Sequence, residues 1–441
     1  MRAIRGVTVS TLVIMGVSLT PATSSAQENA QALRQEMDQL RRDFEALRAQ
    51  YDERLTGLEQ RLATLEGAPP PKPPEAAAAQ PTVQVPPGAA GAGGPAGALP
   101  VYGAGIAGSK IFNPDIAVIG DFLGAAGTNT VAPPPAFEMH ESEASFQAVV
   151  DPYARADFFI SFGESGVNLE EGYMTFTSLP GGLLTRVGKM RAAFGKVNTL
   201  HNHVLPWTDR PLVTQNLVGG EDGISDAGFS VARLIPNPWL FLEATGQVFR
   251  GDSGSETSPL YQSSTRSDLS YVAHLRAYQD ITEDSNVDVG FSYSTGHNGL
   301  PATPNAPETS TLTTSLYGID ATYRWRPLQR SIYRSFIGRS EVVWSRRDQP
   351  NGLQSGSGFY VSGDYQFARR WFAGARYDRS ARAYNASLID RGGSLTMTYW
   401  PSEFSQVRGQ FRRTNYGTGE IANELLFQFQ FSIGAHGAHP F

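Results

Sequence analysis

The sequence contains no cysteine in its 441 residues. A disulfide framework and a metal site built on thiolates are therefore both excluded. The chain also has no run of about 20 consecutive apolar residues, which is the length that a membrane-spanning helix needs. If this protein crosses a membrane, it must do so as a closed β-barrel, because a barrel pairs every backbone group without water.

Signatures of catalysis and of nucleic-acid binding are missing as well. The sequence has no Gly-x-Ser-x-Gly stretch, no phosphate-binding glycine loop and no zinc-protease helix motif. A net charge of -6 offers no basic stripe for nucleic acid. We therefore expect a protein that is not an enzyme, has no cofactor and does not bind nucleic acid.

The first residues have the pattern of an export signal. Arg2 and Arg5 precede a short apolar run, and small residues follow at positions 24–26. This order of charged, apolar and small residues predicts a secretory signal peptide over residues 1–26.

Two further segments precede the main domain. Apolar residues recur at steps of three and four from Leu33 to Leu65, with one interruption at Tyr51. This spacing predicts an α-helical coiled coil over residues 27–66, and we favour self-association over the alternative of a helix lying on the barrel. Residues 67–100 are rich in Pro, Ala and Gly, which predicts a spacer without a fold.

From residue 101 to residue 441 the chain consists of short segments in which apolar and polar residues alternate. In the last one, Phe427, Phe429 and Phe431 alternate with Gln428 and Gln430. Period two is typical of a strand with one apolar and one polar face. Sixteen such segments occur, centred on Ala117, Phe146, Phe158, Tyr173, Val187, Phe229, Leu242, Leu275, Val289, Ala321, Val342, Val361, Ala375, Met397, Val407 and Phe427.

The connections between these segments alternate between short and long, as they do in outer-membrane barrels. The longer ones comprise residues 124–137, 192–222, 251–268, 296–311, 347–356 and 379–390. We therefore predict an all-β transmembrane protein, a 16-stranded antiparallel outer-membrane β-barrel preceded by an N-terminal coiled coil. A soluble all-β protein, whose apolar faces would point inward, is the alternative.

Charged residues on the polar faces predict a watery lumen, because charges are far less costly there than on the lipid side. Alternation places these residues in the lumen: Arg155, Asp157, Glu243, Arg276, Asp288, Asp320, Arg324, Arg339, Glu341, Asp364, Arg376, Asp378 and Arg408. Their signs are mixed, so composition does not predict an anion pore, although a local Arg cluster would still select anions. Alternatively, these charges pair with one another and line a partly plugged interior.

The longest connection, residues 192–222, is the third outer loop. In general porins the third loop folds inward and narrows the pore, so we predict the same here. Its candidate constriction residues are Lys196, His201, His203, Asp209 and Arg210. The alternative is an external loop packed on its neighbours.

Histidines form two close pairs, His201 with His203 and His436 with His439. Such spacings can place two imidazole rings on one Zn²⁺, Ni²⁺ or Cu²⁺ ion. No third ligand stands beside either pair in the sequence. We therefore favour structural roles, with loop hydrogen bonds for the first pair and a terminal anchor for the second, over metal binding.

The stretch Gly188-Lys189-Met190-Arg191-Ala192-Ala193-Phe194-Gly195-Lys196 resembles the Gly-Lys-Phe…Phe-Gly element of the phosphate-selective porin O and P family. The order of signal peptide, coiled coil and barrel is similar too. This resemblance implies a sixteen-stranded pore that forms a homo-oligomer, with a trimer as one implied form. Phosphate selectivity in that family resembles a ladder of lysines, whereas this barrel has only Lys110, Lys189 and Lys196.

The expected function is an outer-membrane porin that lets small hydrophilic solutes or ions diffuse through its lumen, with a periplasmic coiled coil for oligomerisation. One alternative is a structural anchor in the outer-membrane bilayer whose coiled coil contacts the cell wall or a partner. Another is a metal or nutrient uptake receptor. The latter is disfavoured, because residues 27–100 leave no room for a folded plug.

Overall fold

The computed structural model describes residues 114–163, 166–255, 258–299 and 309–434. The predicted signal peptide, coiled coil and spacer, and the pair His436 and His439, lie outside the described residues. Among the described residues, no helix is long and apolar enough to cross a membrane.

Most of the described chain is β-strand. The strands are β1 (Asp115–Thr128), β2 (Phe137–Asp151), β3 (Ala154–Gly163), β4 (Gly166–Leu179), β5 (Leu183–Arg191), β6 (Ser225–Leu234), β7 (Phe241–Phe249), β8 (Ser253–Ser255), β9 (Ser258–Tyr261), β10 (Ser270–Thr282), β11 (Ser285–His297), β12 (Thr313–Trp325), β13 (Ser335–Arg347), β14 (Gln354–Ala368), β15 (Trp371–Arg382), β16 (Asn385–Ser402), β17 (Ser405–Asn415) and β18 (Ile421–Gly434). One α-helix, α1, covers Leu212–Leu217, and 3₁₀ turns cover Pro180–Gly182, Val197–Thr199, Asn202–Val204 and Leu328–Arg330.

Sixteen of these strands form one closed antiparallel barrel, and β8 pairs with β9 in a separate hairpin. The barrel closes where β1 pairs with β18, from Ala117 opposite Gly434 to Thr128 opposite Asn423. Each predicted strand centre lies within one of the sixteen barrel strands. The prediction of a sixteen-stranded antiparallel barrel is therefore confirmed.

The two faces of β18 show why the chain closes in this way. Phe427, Phe429 and Phe431 point outward and are exposed, whereas Gln428 and Gln430 point inward and are buried. The same alternation leaves a belt of large apolar side chains around the outside, as a lipid-facing wall requires. A soluble all-β protein would turn its apolar faces inward, and this barrel does the opposite.

Short turns cluster at one end of the barrel, the turn end, and longer connections at the other, the loop end. β1 begins and β18 ends at the turn end. One expected long loop is absent: β15 and β16 continue through residues 379–390 and leave only Ala383 and Tyr384 between them. Arg382 still pairs with Asn385, so strand pairing takes up the residues assigned to the loop.

An apolar cluster, the inner core, fills part of the barrel interior. Residues 192–224 contribute the buried side chains of Phe194, Trp207 and Leu217. The wall contributes Leu316 and Tyr360, among others. The Trp207 and Tyr360 rings meet edge to face with centroids 5.3 Å apart, a favourable aromatic geometry. The interior is therefore partly filled rather than an open tube.

The outward face of β18 gives a direct test of the lipid-facing wall. Phe427→Arg should lower the free energy of unfolding in lipid vesicles by about 2–4 kcal/mol, because a charge at mid-strand would face hydrocarbon. Phe427→Leu, the control, should change it much less. Denaturant titrations that give the same midpoint for both variants would contradict this assignment.

Candidate functional site

Residues 192–224, the third loop, connect β5 to β6 and turn into the barrel. Near the start of the loop, the Gly195 amide donates to Ser292 Oγ on β11 at 2.9 Å. The amides of Lys196 and Val197 donate to Glu341 Oε2 on β13, at 3.2 and 3.3 Å. Glu341 is only 1% exposed, so these contacts lie deep inside the barrel. The third loop therefore crosses the interior rather than covering its rim.

Gly195 allows this crossing for a geometric reason. Its φ is +60°, a conformation that residues with a side chain rarely adopt. A Cβ atom at this position would lie 2.1 Å from a carboxylate oxygen of Glu341. The preceding Phe194 is fully buried in the inner core. The Phe194-Gly195 pair thus turns the loop inward and anchors it there.

Asp209 ties the far side of the third loop to the opposite wall. Its carboxylate pairs with Arg376 on β15 at 2.8 Å and with Arg412 on β17 at 2.9 Å, and Gln410 also donates to it. Burial by itself would raise the pKa of Asp209, but the two guanidinium groups outweigh it and lower the pKa to about 2. Asp209 is therefore a charged anchor at neutral pH.

The guanidinium group of Arg210 binds the loop itself. It donates to the carbonyl oxygens of Val197 and Leu200 at 3.1 and 2.7 Å and to the Asn202 side chain at 3.0 Å. Burial lowers the pKa of Arg210 to about 10, which still leaves it charged at neutral pH. Arg210 thus holds the irregular backbone of the loop together.

A cluster of carboxylates and imidazoles, the Glu–His cluster, lies where the third loop meets β2 and β4. His201 Nδ1 lies 2.6 Å from Glu143 and 3.1 Å from Glu170. His203 Nδ1 lies 3.7 Å from Glu143, and the two imidazole rings are 5.7 Å apart. Asn202, between them, donates to Glu141 at 3.0 Å.

The two histidines of this cluster titrate in opposite directions. Burial favours a neutral ring at His201, but its hydrogen bonds to Glu143 and Glu170 outweigh this and raise the pKa of His201 to about 10. At His203 burial dominates and lowers the pKa to about 4. At neutral pH His201 is therefore protonated, whereas His203 is neutral and keeps one ring nitrogen with a free lone pair.

Two β-bulges lie beside this cluster. The register of β2 against β1 shifts between Asp121 and Phe122, so that His140 is an extra residue. The register of β4 against β3 shifts between Phe159 and Ile160, and Glu170 is the extra residue there. Such a bulge redirects a side chain, which explains why the adjacent Glu170 and Glu171 are both buried.

None of the carboxylates of this cluster was among the predicted site residues, and the bulge accounts only for Glu170 and Glu171. Strict alternation sends neighbours to opposite faces, and a bulge leaves no signal in a period-two pattern. The repeated acids of β2, Glu141 and Glu143, and the adjacent pair on β4 were the available hint.

All thirteen wall charges singled out by alternation lie on strands of the barrel, on its inner face, and most of them pair. Arg276 contacts Asp288 at 2.7 Å, and Arg376 contacts Asp378 at the same distance. Arg155 pairs with Asp157 and Arg339 with Asp364. Seven of the thirteen are buried: Asp157, Asp288, Asp320, Glu341, Arg376, Asp378 and Arg408. The others, Arg155, Glu243, Arg276, Arg324, Arg339 and Asp364, remain partly accessible.

Two cavities lie on either side of the third loop. The larger, of about 410 Å³, opens towards the turn end, where Lys196, Arg324, Arg339 and Arg408 line it with Asp364. The smaller, of about 170 Å³, lies towards the loop end; its lining includes Asp121, His140, Asp209, Arg210 and Arg412. Leu205 borders both cavities, so this residue lies at the division between them.

A closed sixteen-stranded barrel with an inward third loop defines the class of porin-type barrels. Among solved structures, OprB of Pseudomonas putida shares the fold, with a TM-score of 0.53 and 11% identity over 74% of this chain and 95% of that one. An anion-selective porin from Comamonas acidovorans aligns with a TM-score of 0.49 and 9% identity, over 72% of this chain and 98% of that one.

Sequence comparison then identifies the family. An Aquifex aeolicus protein described as uncharacterized is 30% identical over 336 residues, which cover 69% of this chain and 70% of that protein. The chain belongs to the same family as this protein. No family model matches the chain. The resemblance to the phosphate-selective porins O and P stays a prediction.

Asp209 provides a pH-dependent test of the loop anchor. Asp209→Asn should lower the free energy of unfolding at pH 7 by about 1.5–3 kcal/mol, the value of hydrogen bonds to charged groups. The pKa of about 2 lies below the ~3.9 of an unfolded Asp. The carboxylate's contribution is therefore complete above about pH 4 and is lost as the pH falls through 2.

Denaturant unfolding at pH 7 and at pH 2 measures this effect. The difference between Asp209→Asn and the unmodified protein should be large at pH 7 and much smaller at pH 2. A difference that is the same at both pH values would show that the Asp209 charge does not hold the loop.

Proposed function

We propose that this protein is an outer-membrane porin through which small hydrophilic solutes or ions diffuse passively. The observation that carries this proposal is the third loop, which hydrogen-bonds across the barrel and leaves a cavity on each side of Leu205. A closed barrel with an apolar outer belt suits a bilayer, and a constricted polar lumen suits size-limited diffusion.

In this proposal, the turn end faces the periplasm and the loop end faces the outside. Residues 27–66 then form a periplasmic coiled coil that promotes homo-oligomerisation, in a trimer or another small oligomer, and residues 67–100 link it to the barrel. Diffusion needs no enzymatic step and no cofactor. Lys196, His201, His203, Asp209 and Arg210 act as the constriction segment.

The lining of the larger cavity favours anions over cations. Four basic residues face this cavity: Lys196, Arg324, Arg339 and Arg408. Among the described residues that line it, Asp364 is the only acidic one. Arg339 pairs with Asp364, whereas Arg324 lies 3.9 Å from Asp288 and is only weakly paired. At such short range a few unbalanced charges decide ion preference even in a protein of negative net charge.

A structural anchor is the second candidate, favoured by the inner core. Phe194, Trp207 and Tyr360 belong to an apolar filling that an open channel does not need. In this alternative, the barrel is a plugged membrane foot and the coiled coil reaches the cell wall or a partner.

Conductance across a planar lipid bilayer separates the two candidates. The porin proposal expects discrete, small conductance steps. If neither the full-length protein nor a form lacking residues 27–100 conducts, the porin proposal is wrong and the anchor is supported.

Gly195→Ala tests whether the third loop sets the channel width. The new Cβ must displace the Glu341 carboxylate, which then loses its bonds to the Lys196 and Val197 amides. We expect at least a twofold larger single-channel conductance, because the loop is released from the wall.

Gly352→Ala is the matched control. Gly352 also has a positive φ, but a Cβ there meets nothing within 4 Å. The conductance of the Gly352→Ala variant should equal that of the unmodified protein. Equal conductance of all three proteins would place the narrowest point away from the third loop.

Arg324→Gln tests the origin of ion preference. Under a salt gradient, the reversal potential of the unmodified protein should indicate preference for Cl⁻, and the variant should shift it towards cation preference. Arg346→Gln is the control. Arg346 lies on β13 and is exposed, whereas its neighbours Ser345 and Arg347 are buried, so Arg346 points away from the lumen. A reversal potential unchanged by Arg324→Gln would contradict this role for the larger cavity.

A further inference from the structure

We propose that His201, His203, Glu143 and Glu170 form a binding site for one divalent transition-metal ion of the zinc type inside the barrel. The site lies where the third loop meets β2 and β4. It does not depend on whether the barrel conducts.

The donor atoms are already close together. One ligand atom from each of Glu143, His201 and His203 lies within 4.8 Å of the other two. Oxygen atoms of Glu141, Glu143 and Glu170 satisfy the same condition. Bonds of about 2.0–2.1 Å to a tetrahedral Zn²⁺ need donors roughly 3.3 Å apart. The separations from His201 Nδ1 to Glu170, 3.1 Å, and from His203 Nδ1 to Glu143, 3.7 Å, are close to that value. His201 Nδ1 and Glu143 are only 2.6 Å apart, so their hydrogen bond must lengthen as an ion enters.

An unpartnered donor points at this position. His203 is 8% exposed, and its Nδ1 is buried without a hydrogen-bond partner. A buried polar atom left in this way destabilises the folded protein. Nδ1 faces the Glu143 carboxylate, so a cation between the two would use the lone pair that is otherwise idle. Glu141 Oε1, in the same cluster, is also buried without a partner.

The charge of the cluster favours a cation. Glu141, Glu143, Glu170 and Glu171 are all buried there. In the metal-free protein, Arg191, which contacts Glu170 at 3.1 Å, and the protonated His201 offset part of this charge. Several carboxylates facing one another in a site sheltered from water are stabilised by a divalent ion.

The donor set and the access route narrow the kind of ion. An ion that binds here displaces the proton of His201, because a metal-bound imidazole must be neutral. Two neutral imidazoles with carboxylates and no thiolate suit Zn²⁺ and its neighbours, whereas Ca²⁺ and Mg²⁺ prefer oxygen donors alone. His203 also lines the cavity of about 410 Å³, which gives an ion a way in from the turn end. The bulge makes Glu170 the extra residue of β4, and the hydrogen bond from Asn202 to Glu141 ties the loop to β2 between the two histidines.

Binding of Zn²⁺ and Co²⁺ to the purified full-length protein tests the site. The reference protein carries His436→Gln and His439→Gln and no histidine tag, because those residues could bind metal by themselves. We expect saturable binding of one Zn²⁺ per chain by calorimetry, and intense visible absorption with Co²⁺, as tetrahedral coordination produces.

His203→Ala and Glu143→Gln should each weaken Zn²⁺ binding at least tenfold. His274→Ala is the matched control, because His274 is a partly buried histidine on β10 that bonds to Ser292 Oγ rather than to the Glu–His cluster. Glu143→Gln keeps the shape of the side chain, which separates loss of a ligand from loss of folding. Zn²⁺ should also raise the unfolding temperature of the reference protein, but not that of the His203→Ala and Glu143→Gln variants.

Two outcomes would overturn the site. One is a reference protein that binds no Zn²⁺ or Co²⁺. The other is unchanged affinity in both His203→Ala and Glu143→Gln, which would leave the Glu–His cluster as a hydrogen-bonded latch. Bilayer conductance is measured separately, so loss of the metal site leaves the porin proposal standing, and absent conductance leaves the metal site standing.

Discussion

An irregular loop inside a barrel must find hydrogen-bond partners for its own amides, and the rest of this interior depends on that constraint. The wall supplies them. Glu341 accepts from two loop amides, Gln247 from Ala193, Gln410 from Thr208 and Asp378 from Leu212. These acceptors come from different strands around the barrel. The polar inner face is therefore a set of acceptors for one particular loop path, as well as a surface for water.

The strands could be predicted from the sequence because their signal is local. Alternation along β18 depends only on that strand, and the same holds for the other fifteen. The path of the third loop could be anticipated only from its length and position. Its partners, such as Glu341 and Arg412, lie far away in sequence, and nothing local specifies them. The bulges at His140 and Glu170 were out of reach for the same reason, since register shifts depend on the neighbouring strand.

The interior divides into two unlike parts. Phe194, Trp207 and Tyr360 pack into an apolar core that fixes one part of the loop by shape. Asp209 and the Glu–His cluster fix other parts by charge. Apolar packing changes little with pH, whereas the charged anchors respond to it. The loop thus combines a permanent support with supports that its surroundings can adjust.

The anchoring of Asp209 also sets an order of assembly. Its partner Arg412 lies 203 residues further along the chain, on one of the last strands. The loop cannot complete its contacts until those strands are in place, because the acceptor and donor positions exist only on a closed wall. The path of the loop is therefore fixed only when the last strands of the wall are present.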